Sequence, residues 1–153
     1  MIFGFKKTEQ ARKIEFLRSI PIFCNLNKSE FIKLDMIIHE RQYKEEEIIF
    51  YENEPGASLY IIKSGKVELI KKIEGEEKRI SILKEGEFFG EIGVLIASPR
   101  ITSARAMEKT ELLSLPRPDL LNLIERNPKV GSRILLEISK VIAERLSKTM
   151  VNQ

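Results

Sequence analysis

The chain has 153 residues, of which 42% are hydrophobic and 32% are charged, and its formal net charge is +3 at pH 7. This length suits one domain with a real core, and the composition excludes an intrinsically disordered chain. Lysine and arginine alternate with glutamate, as in KKIEGEEKRI at 71–80, so no basic stripe indicates nucleic acid as a partner.

The N-terminal part, residues 1–36, has a helical pattern. ARKIEFLRSIPIF carries apolar residues at helical spacing, and Pro21 ends that run. A second short helix is predicted in LNKSEFIKLDMII. Ser29 is one candidate for its N-cap, and Asn27 is the other.

Residues 37–116 change to short stretches that are rich in β-branched or alternating residues. Turn signals separate these stretches: NEPG at 53–56, SG at 64–65, EGEE at 74–77 and EGE at 85–87. Such signals at a spacing of roughly eight to twelve residues predict an antiparallel barrel or sandwich.

Residues 117–150 return to a helical pattern. A short helix over 119–126 is stopped by Asn127-Pro128, and a long helix with a wide apolar stripe follows. The stripe comprises Ile134, Leu135, Ile138, Val141, Ile142 and Leu146. It is wide enough both to pack on the β-structure and to form a homodimer seam through Leu135, Ile138 and Ile142, which Leu146 would extend. The predicted fold is α+β: one domain, 1–153, in which an antiparallel β-roll or jelly-roll barrel lies between N-terminal helices and two C-terminal helices.

The stretch FFGEIGVLIASPRITSARA at 88–106 places Glu91 and Arg100 among apolar and small residues, with a further charge, Arg105, next to its end. Gly90 and Gly93 indicate backbone that bends sharply or approaches a ligand closely. A short helix through GVLIAS would direct backbone N–H groups at an anion, and Arg100 could give a phosphate two hydrogen bonds. Glu91 can only accept hydrogen bonds, so it suits a hydroxyl or an amine.

These features predict a nucleotide-sized ligand with one compact phosphate. The alternative is a structural ion pair between Glu91 and Arg100, although a buried pair without a ligand recovers its desolvation cost poorly.

FGEIGVLIASPR resembles the phosphate-binding cassette of the cyclic nucleotide-binding domain family. LYIIKSGKVELI at 59–70 resembles the strand–glycine–strand signature of the same family, with Gly65 in the turn. The order of elements is also similar, and the resemblance covers about residues 10–150. It implies a regulatory module that binds a cyclic nucleotide and moves its C-terminal helix.

The resemblance also implies roles for single residues. Arg100 would pair with the cyclic phosphate, and Glu91 would accept the ribose 2′-hydroxyl. The expected ligand contacts are Gly90, Glu91, Ile92, Gly93, Arg100, Ile101 and Thr102, with the backbone N–H groups of Gly93 and Ile101 facing the phosphate. Ile82 and Leu83 would be apolar neighbours of the base.

The sequence departs from the family directly after the arginine. Family members usually carry a small residue there, and a threonine at that place is associated with better cGMP binding. Ile101 cannot hydrogen-bond the guanine amino group, so cAMP is expected rather than cGMP. The branched side chain also favours an alternative function, a scaffold that has lost nucleotide binding and acts in protein interaction or dimerisation.

The remaining expectations concern partners, metals and location. Resembling bacterial regulators carry a helix-turn-helix after the long helix, but this chain ends three residues after Met150, so DNA is not expected and the downstream protein is unidentified. His39 and Cys24 do not fill a zinc shell or a catalytic set, which predicts neither a metal nor enzymatic activity. No run approaches about 18 uncharged apolar residues, which predicts a cytoplasmic protein without a membrane partner.

Overall fold

The computed structural model describes residues 8–23 and 25–152, which form two compact units. One unit combines the described residues up to Met36 with those from Ile124 onward, and the other is Ile37–Leu123. The helices are α1 (Glu9–Ser19), α2 (Lys28–Ile37), α3 (Glu91–Ile96), α4 (Arg117–Arg126) and α5 (Pro128–Val151). The sequence predicts that Cys24 is neither a metal ligand nor a catalytic residue, and Cys24 lies outside the described residues.

Side-chain caps fix the starts of the first two helices. The Thr8 hydroxyl accepts a hydrogen bond from the Ala11 N–H at 3.1 Å and caps α1. At α2, the Asn27 side chain accepts from the Glu30 N–H, and the Glu30 carboxylate accepts from the Asn27 N–H, both at 2.9 Å. This reciprocal pair is a capping box. Asn27 is therefore the N-cap, and the expectation for Ser29 is wrong because that residue lies inside the helix.

The last two helices meet at the predicted Asn127-Pro128 break. α4 begins at Arg117, before the predicted start at residue 119, because a proline such as Pro118 is tolerated in the first turn of a helix. The buried face of α5 is formed by Val130, Gly131, Ile134 and Ile138. From Val141 onward every residue of the helix is at least partly exposed.

Eight strands form two antiparallel sheets in the second unit, which confirms the predicted β-roll. The strands are β1 (His39–Tyr43), β2 (Ile48–Phe50), β3 (Ser58–Ser64), β4 (Lys66–Ile73), β5 (Glu76–Lys84), β6 (Phe88–Phe89), β7 (Ser103–Ala106) and β8 (Thr110–Pro116). One sheet has the order β1-β8-β3-β6 and the other β2-β7-β4-β5. The two-residue strand β6 was not predicted, since two apolar residues carry no period.

The core of this unit is an apolar cluster to which both sheets contribute. Its buried members are Phe50, Ile62, Val67, Leu83, Phe89, Ala104 and Leu112. Alternate residues of a strand face opposite sides of its sheet, and these side chains come from the inward-facing positions. Within residues 8–23 and 25–152, no helix combines the length and the hydropathy that a bilayer crossing requires.

Candidate functional site

Arg100 lies in the irregular segment between α3 and β7. An isolated bridge pairs the preceding residue, Pro99, with Pro55. The Arg100 N–H donates to the Glu54 carbonyl at 2.8 Å, and the Arg100 carbonyl accepts from the Asn53 N–H at 2.7 Å. The loop between β2 and β3 therefore holds the backbone of Arg100 on both sides of its Cα.

The Arg100 guanidinium is buried, with only 6% of the residue exposed. Its Nη1 donates to the Gly90 carbonyl at 3.2 Å and its Nη2 to the Ser58 carbonyl at 3.1 Å. Its Nε is buried and has no hydrogen-bond partner in the part of the chain that the structure describes. A guanidinium has more donors than two carbonyls can use, so this group is oriented and still able to bind an anion.

Two aromatic rings lie beside the guanidinium, and a third packs against both of them. The Cζ atom of Arg100 is 4.1 Å from the centroid of the Phe50 ring and 5.8 Å from that of Tyr60. Tyr60 stacks on Phe89 with 5.3 Å between ring centroids, and Phe50 lies 5.9 Å from Phe89. The flat cation is thus supported by a cation–π contact on the apolar core.

Two glycines let backbone approach the guanidinium closely, and a third lets α3 approach the backbone of Gly56. A Cβ added to Gly56 would lie 2.6 Å from Arg100 Nε, and one added to Gly90 would lie 2.8 Å from Arg100 Nη1. A Cβ on Gly93 would lie 2.8 Å from the Gly56 carbonyl oxygen. Gly90 also has a φ of +82°, the left-handed region that favours glycine. Gly90 and Gly93, which the sequence singled out, therefore allow close packing: Gly90 against Arg100, and Gly93 against Gly56.

Glu91 is the first residue of α3 and is partly exposed, as is Ile92. Burial lowers the pKa of the Arg100 guanidinium below its ordinary value. Tyr60 and the carboxylates of Glu91 and Glu54 act in the opposite direction. Glu91 thus lies close enough to influence Arg100 electrostatically, although the two hydrogen bonds of the guanidinium go to backbone carbonyls. Hydrogen bonds to the Gly90 and Ser58 carbonyls orient Arg100, and the ion pair with Glu91 that was considered from the sequence stays a prediction.

Ile101 and Thr102 follow the arginine. The Ile101 side chain is 52% exposed, whereas Thr102 is partly buried. The Ile101 carbonyl accepts a hydrogen bond from Lys71 Nζ at 2.9 Å. The segment after the arginine is therefore tied to β4 through its backbone, and its branched side chain projects to the surface.

The two residues expected near a base lie on opposite faces of β5. Leu83 is 4% exposed and belongs to the core cluster, whereas Ile82 is 46% exposed. Adjacent strand residues point to opposite sides of the sheet, so the two cannot form one apolar surface. The structure brings together Gly90, Glu91, Gly93 and Arg100, but it places Ile82 on the outer face.

Sequence reasoning missed several residues of this site. Gly56 was read only as part of the NEPG turn, and Phe50 and Tyr60 only as strand residues. Alternation in β2 and β3 is the signal that could have found the two aromatic residues, because it places both rings on the inward face. The Ser58 carbonyl has no sequence signal, since any residue supplies one.

A metal centre has no ligand set in the described chain. No group of at least three histidine, cysteine, aspartate or glutamate side chains is placed to hold an ion there. The chemistry that the site offers is recognition of an anion by a buried cation, next to a carboxylate that accepts hydrogen bonds.

Comparison with known proteins shows to which family of domains the chain is similar. A family model described as the cyclic nucleotide-binding domain matches residues 40–127. The chain is 35% identical over 129 residues to a cyclic AMP receptor protein of Thermus thermophilus, and the match covers 84% of this chain and 60% of that protein. It is 34% identical over 115 residues to a putative potassium channel protein of Rhodopseudomonas palustris, covering 75% of this chain and 28% of that protein.

Solved structures agree on the fold. A cyclic nucleotide-binding domain from Methylobacillus flagellatus superposes with a TM-score of 0.81 at 24% identity, covering 91% of this chain and 79% of that one. The chain spans less than two thirds of the length of each of the two relatives named above.

Proposed function

The chain belongs to the cyclic nucleotide-binding domain family, and on that basis we propose that it binds cyclic AMP around Arg100 and acts as a sensor module. The observation that carries the proposal is the buried guanidinium, which two carbonyls orient and whose Nε is left without a partner. A buried polar group without a partner costs free energy. A bound phosphate would supply both the missing acceptor and the missing negative charge.

The roles proposed for the individual residues are those that the resemblance to the family implies, and the chemistry of the side chains is consistent with them. Arg100 pairs with the cyclic phosphate, and Glu91 accepts a hydrogen bond from the ribose 2′-hydroxyl. The backbone N–H groups of Gly93 and Ile101 face the phosphate oxygens, with Gly90 beside the ribose. All five residues lie in or next to α3 and the segment that follows it.

The preference for cAMP rests on Ile101. Its side chain has no donor or acceptor with which to recognise the guanine amino group, whereas a hydroxyl at this position could do so. A relative at 35% identity is named as a cyclic AMP receptor protein, which supports the same ligand. We therefore expect cGMP to bind more weakly than cAMP.

The signalling step is proposed to run from α3 to the C-terminal helices. Arg117, the first residue of α4, donates from Nε to the Val94 carbonyl of α3 at 2.9 Å. A ligand that draws α3 inward would pull on this contact and change the arrangement of α4 and α5. It can do so only through a difference in affinity between the two arrangements.

The output is proposed to be non-enzymatic and to pass through a protein contact. The C-terminal half of α5 exposes apolar side chains, among them Leu146 and Met150. Self-association through this helix, contact with a downstream protein, or both would cover them. The site itself offers groups for recognition and no nucleophile with an adjacent base.

Isothermal titration with cAMP and then cGMP tests the proposal. We expect micromolar or tighter binding of cAMP and weaker binding of cGMP. Arg100→Leu should weaken cAMP binding by about 2–5 kcal/mol, the cost of truncating one partner of a buried charge contact. Arg126→Leu, in the exposed last turn of α4, is the matched control and should bind as wild type does.

Two outcomes would overturn the proposal. If folded wild-type protein gives no heat and no competition at millimolar cAMP, the scaffold function becomes the better account. If Arg100→Leu binds cAMP as tightly as wild type, the ligand lies elsewhere.

A further inference from the structure

We infer that Lys71 and Glu52 are positioning residues for the proposed phosphate site, a role that rests on the proposed function. Neither residue belongs to the stretch 88–106 that carries the site residues. Lys71 lies on β4, and Glu52 lies in the loop after β2. Together they connect both elements to the backbone that directly follows Arg100.

The connection depends on the ammonium group of Lys71. Its Nζ donates to the Ile101 carbonyl at 2.9 Å and forms an ion pair with Glu52 Oε2 at 3.3 Å. The Lys71 side chain is only partly exposed, and that of Glu52 is less exposed still. The carboxylate thus holds the ammonium in place while the ammonium holds the carbonyl.

Glu52 is itself fixed by two further hydrogen bonds. Its Oε1 accepts from the Lys72 backbone N–H at 3.2 Å. Its own N–H donates to the Ser103 hydroxyl at 2.9 Å, at the start of β7. The pair therefore joins β4, the β2–β3 loop and β7 around the segment 100–102.

This network complements the way Arg100 is held. Asn53 and Glu54 of the β2–β3 loop bind the backbone of Arg100. The next carbonyl, that of Ile101, accepts its hydrogen bond from Lys71 instead. The peptide that joins Ile101 to Thr102 is thereby fixed from the β4 side. A phosphate bound by the guanidinium needs this backbone in one arrangement, and fixing it in advance lowers the ordering cost of binding.

The chain offers a matched pair of variants. Lys71→Met removes the ammonium and the bond to Ile101. Lys72→Met removes the same charge one residue later but keeps the backbone N–H that binds Glu52. Any effect of lowering the net charge near the site therefore appears in both variants, whereas loss of positioning appears only in Lys71→Met. Lys71→Arg restores a donor.

The first measurement uses ligand-free protein. The Asn53 amide, which donates to the Arg100 carbonyl, reports on this backbone. We expect it to exchange its hydrogen faster in Lys71→Met than in wild type, and at an unchanged rate in Lys72→Met, because only the first variant frees the adjoining 101–102 peptide. Equal exchange in Lys71→Met and wild type would overturn the inference whether or not the protein binds a nucleotide.

The second measurement is titration of the same variants with cAMP and with adenosine. We expect Lys71→Met to weaken cAMP binding about tenfold, the size of one charge-assisted hydrogen bond, and Lys71→Arg to recover most of that loss. Adenosine lacks the phosphate, so its affinity should be the same in all variants. If wild type binds cAMP but Lys71→Met and Lys72→Met lose equal affinity, the positioning role is wrong while the proposed function stands. If wild type does not bind cAMP, both fail.

Discussion

Gly56 determines how closely the β2–β3 loop can approach the Arg100 guanidinium. The hypothetical Cβ at this position lies within 2.8 Å of three guanidinium-end atoms, Nε, Cδ and Cζ. The end of an exposed arginine could move aside at little cost. Arg100 cannot do so freely, since it is held by two carbonyls and supported by the Phe50 ring.

We therefore predict that Gly56→Ala displaces the guanidinium and weakens cAMP binding by about 1–3 kcal/mol, the usual cost of overpacking a well-packed site. Titration calorimetry measures the loss. Ser58→Ala is the control, because Ser58 contacts Arg100 through its backbone carbonyl, which the substitution keeps. Wild-type affinity in Gly56→Ala would contradict the claim that Arg100 must keep this position to bind ligand.

At the residue scale, the sequence predicted the charged and glycine positions of the site but not their contacts. Glu91 and Arg100 stand out because charges are rare in an apolar stretch. The carbonyls of Gly90 and Ser58 reach Arg100 only after β3 pairs with β6, a contact between residues far apart in the chain. Pairing at that range depends on the whole roll, so no local pattern encodes it.

At the element scale, the sheet β2-β7-β4-β5 carries a buried carboxylate between two of its strands. Glu68 of β4 is 4% exposed and accepts from Arg79 Nε at 2.8 Å and from Arg105 Nε at 2.7 Å. Burial alone would raise the pKa of Glu68, but the hydrogen bonds from Arg105 and Arg79 outweigh it and lower the pKa. The hydrogen bond that Arg105 donates to Glu68 also raises the pKa of Arg105.

A carboxylate with a lowered pKa stabilises the folded state above its unfolded pKa, and this contribution is lost as the pH falls through the folded pKa. We predict that Glu68→Gln lowers the free energy of unfolding at pH 7 by about 1–3 kcal/mol, since it leaves buried donors poorly paired. The difference in the free energy of unfolding between wild type and Glu68→Gln should become smaller as the pH falls below 4.5, the ordinary pKa of a glutamate. Urea unfolding at pH 7 and at pH 4 or lower measures it.

Glu77 provides the control for that experiment. It also binds Arg105, at 2.8 Å, but its side chain is about half exposed. Exposed ion pairs contribute about 0–1 kcal/mol, so Glu77→Gln should change stability little at either pH. A Glu68→Gln deficit that equals the Glu77→Gln deficit, or that persists undiminished in acid, would show that Glu68 does not stabilise the sheet in this way.

The junction of α4 and α5 depends on Gly131. A Cβ there would lie 2.7 Å from the Ile124 Cα, so the two helices pack backbone to backbone at this point. In an ordinary helix interior, glycine to alanine stabilises by about 1 kcal/mol. At this position we predict the opposite sign, a loss of about 1–3 kcal/mol from overpacking.

Urea unfolding of Gly131→Ala checks this prediction. Ser132→Ala, at the exposed next position of α5, is the control and should not destabilise. A Gly131→Ala protein that is more stable than wild type would mean that α4 moves away from α5 without cost.

Element boundaries were predictable where one side chain determines them and not elsewhere. Pro21 and Asn127-Pro128 mark real helix ends because proline restricts the residue before it. The N-cap of α2 was ambiguous between Ser29 and Asn27, since both side chains suit that position. The two reciprocal hydrogen bonds between Asn27 and Glu30 identify Asn27 as the N-cap. They are visible only in the structure, since the sequence does not show at which residue the helix begins.

At the scale of the whole molecule, the apolar stripe of α5 divides along its length. Ile134 and Ile138 are buried, so at least part of the predicted seam packs within the chain. Leu146 is 58% exposed, and the residues beyond it remain exposed to the end of the helix. The sequence could not divide the stripe, because periodicity shows which residues share a face and not which of them another element covers.

The exposed half of α5 is the surface that a ligand bound near Arg100 would have to change if the domain acts as a sensor. A cyclic nucleotide bound near Arg100 should protect amides in α3 and in segment 99–102 from hydrogen exchange, because it stabilises the conformation that binds it. If the module is a sensor, exchange in the exposed half of α5 must also change, since the ligand can shift only arrangements that differ in affinity for it.

We predict both changes on adding cAMP to wild type and neither on adding it to Arg100→Leu, measured by hydrogen-exchange mass spectrometry at saturating ligand. Arg117→Met separates the two effects: it removes the contact from α4 to the Val94 carbonyl and should keep the protection of α3 while reducing the response of α5. Protection around Arg100 with an unchanged α5 in wild type would mean that the domain binds cAMP without relaying it. The proposed binding would then stand, and the proposed movement of the C-terminal helix would fail.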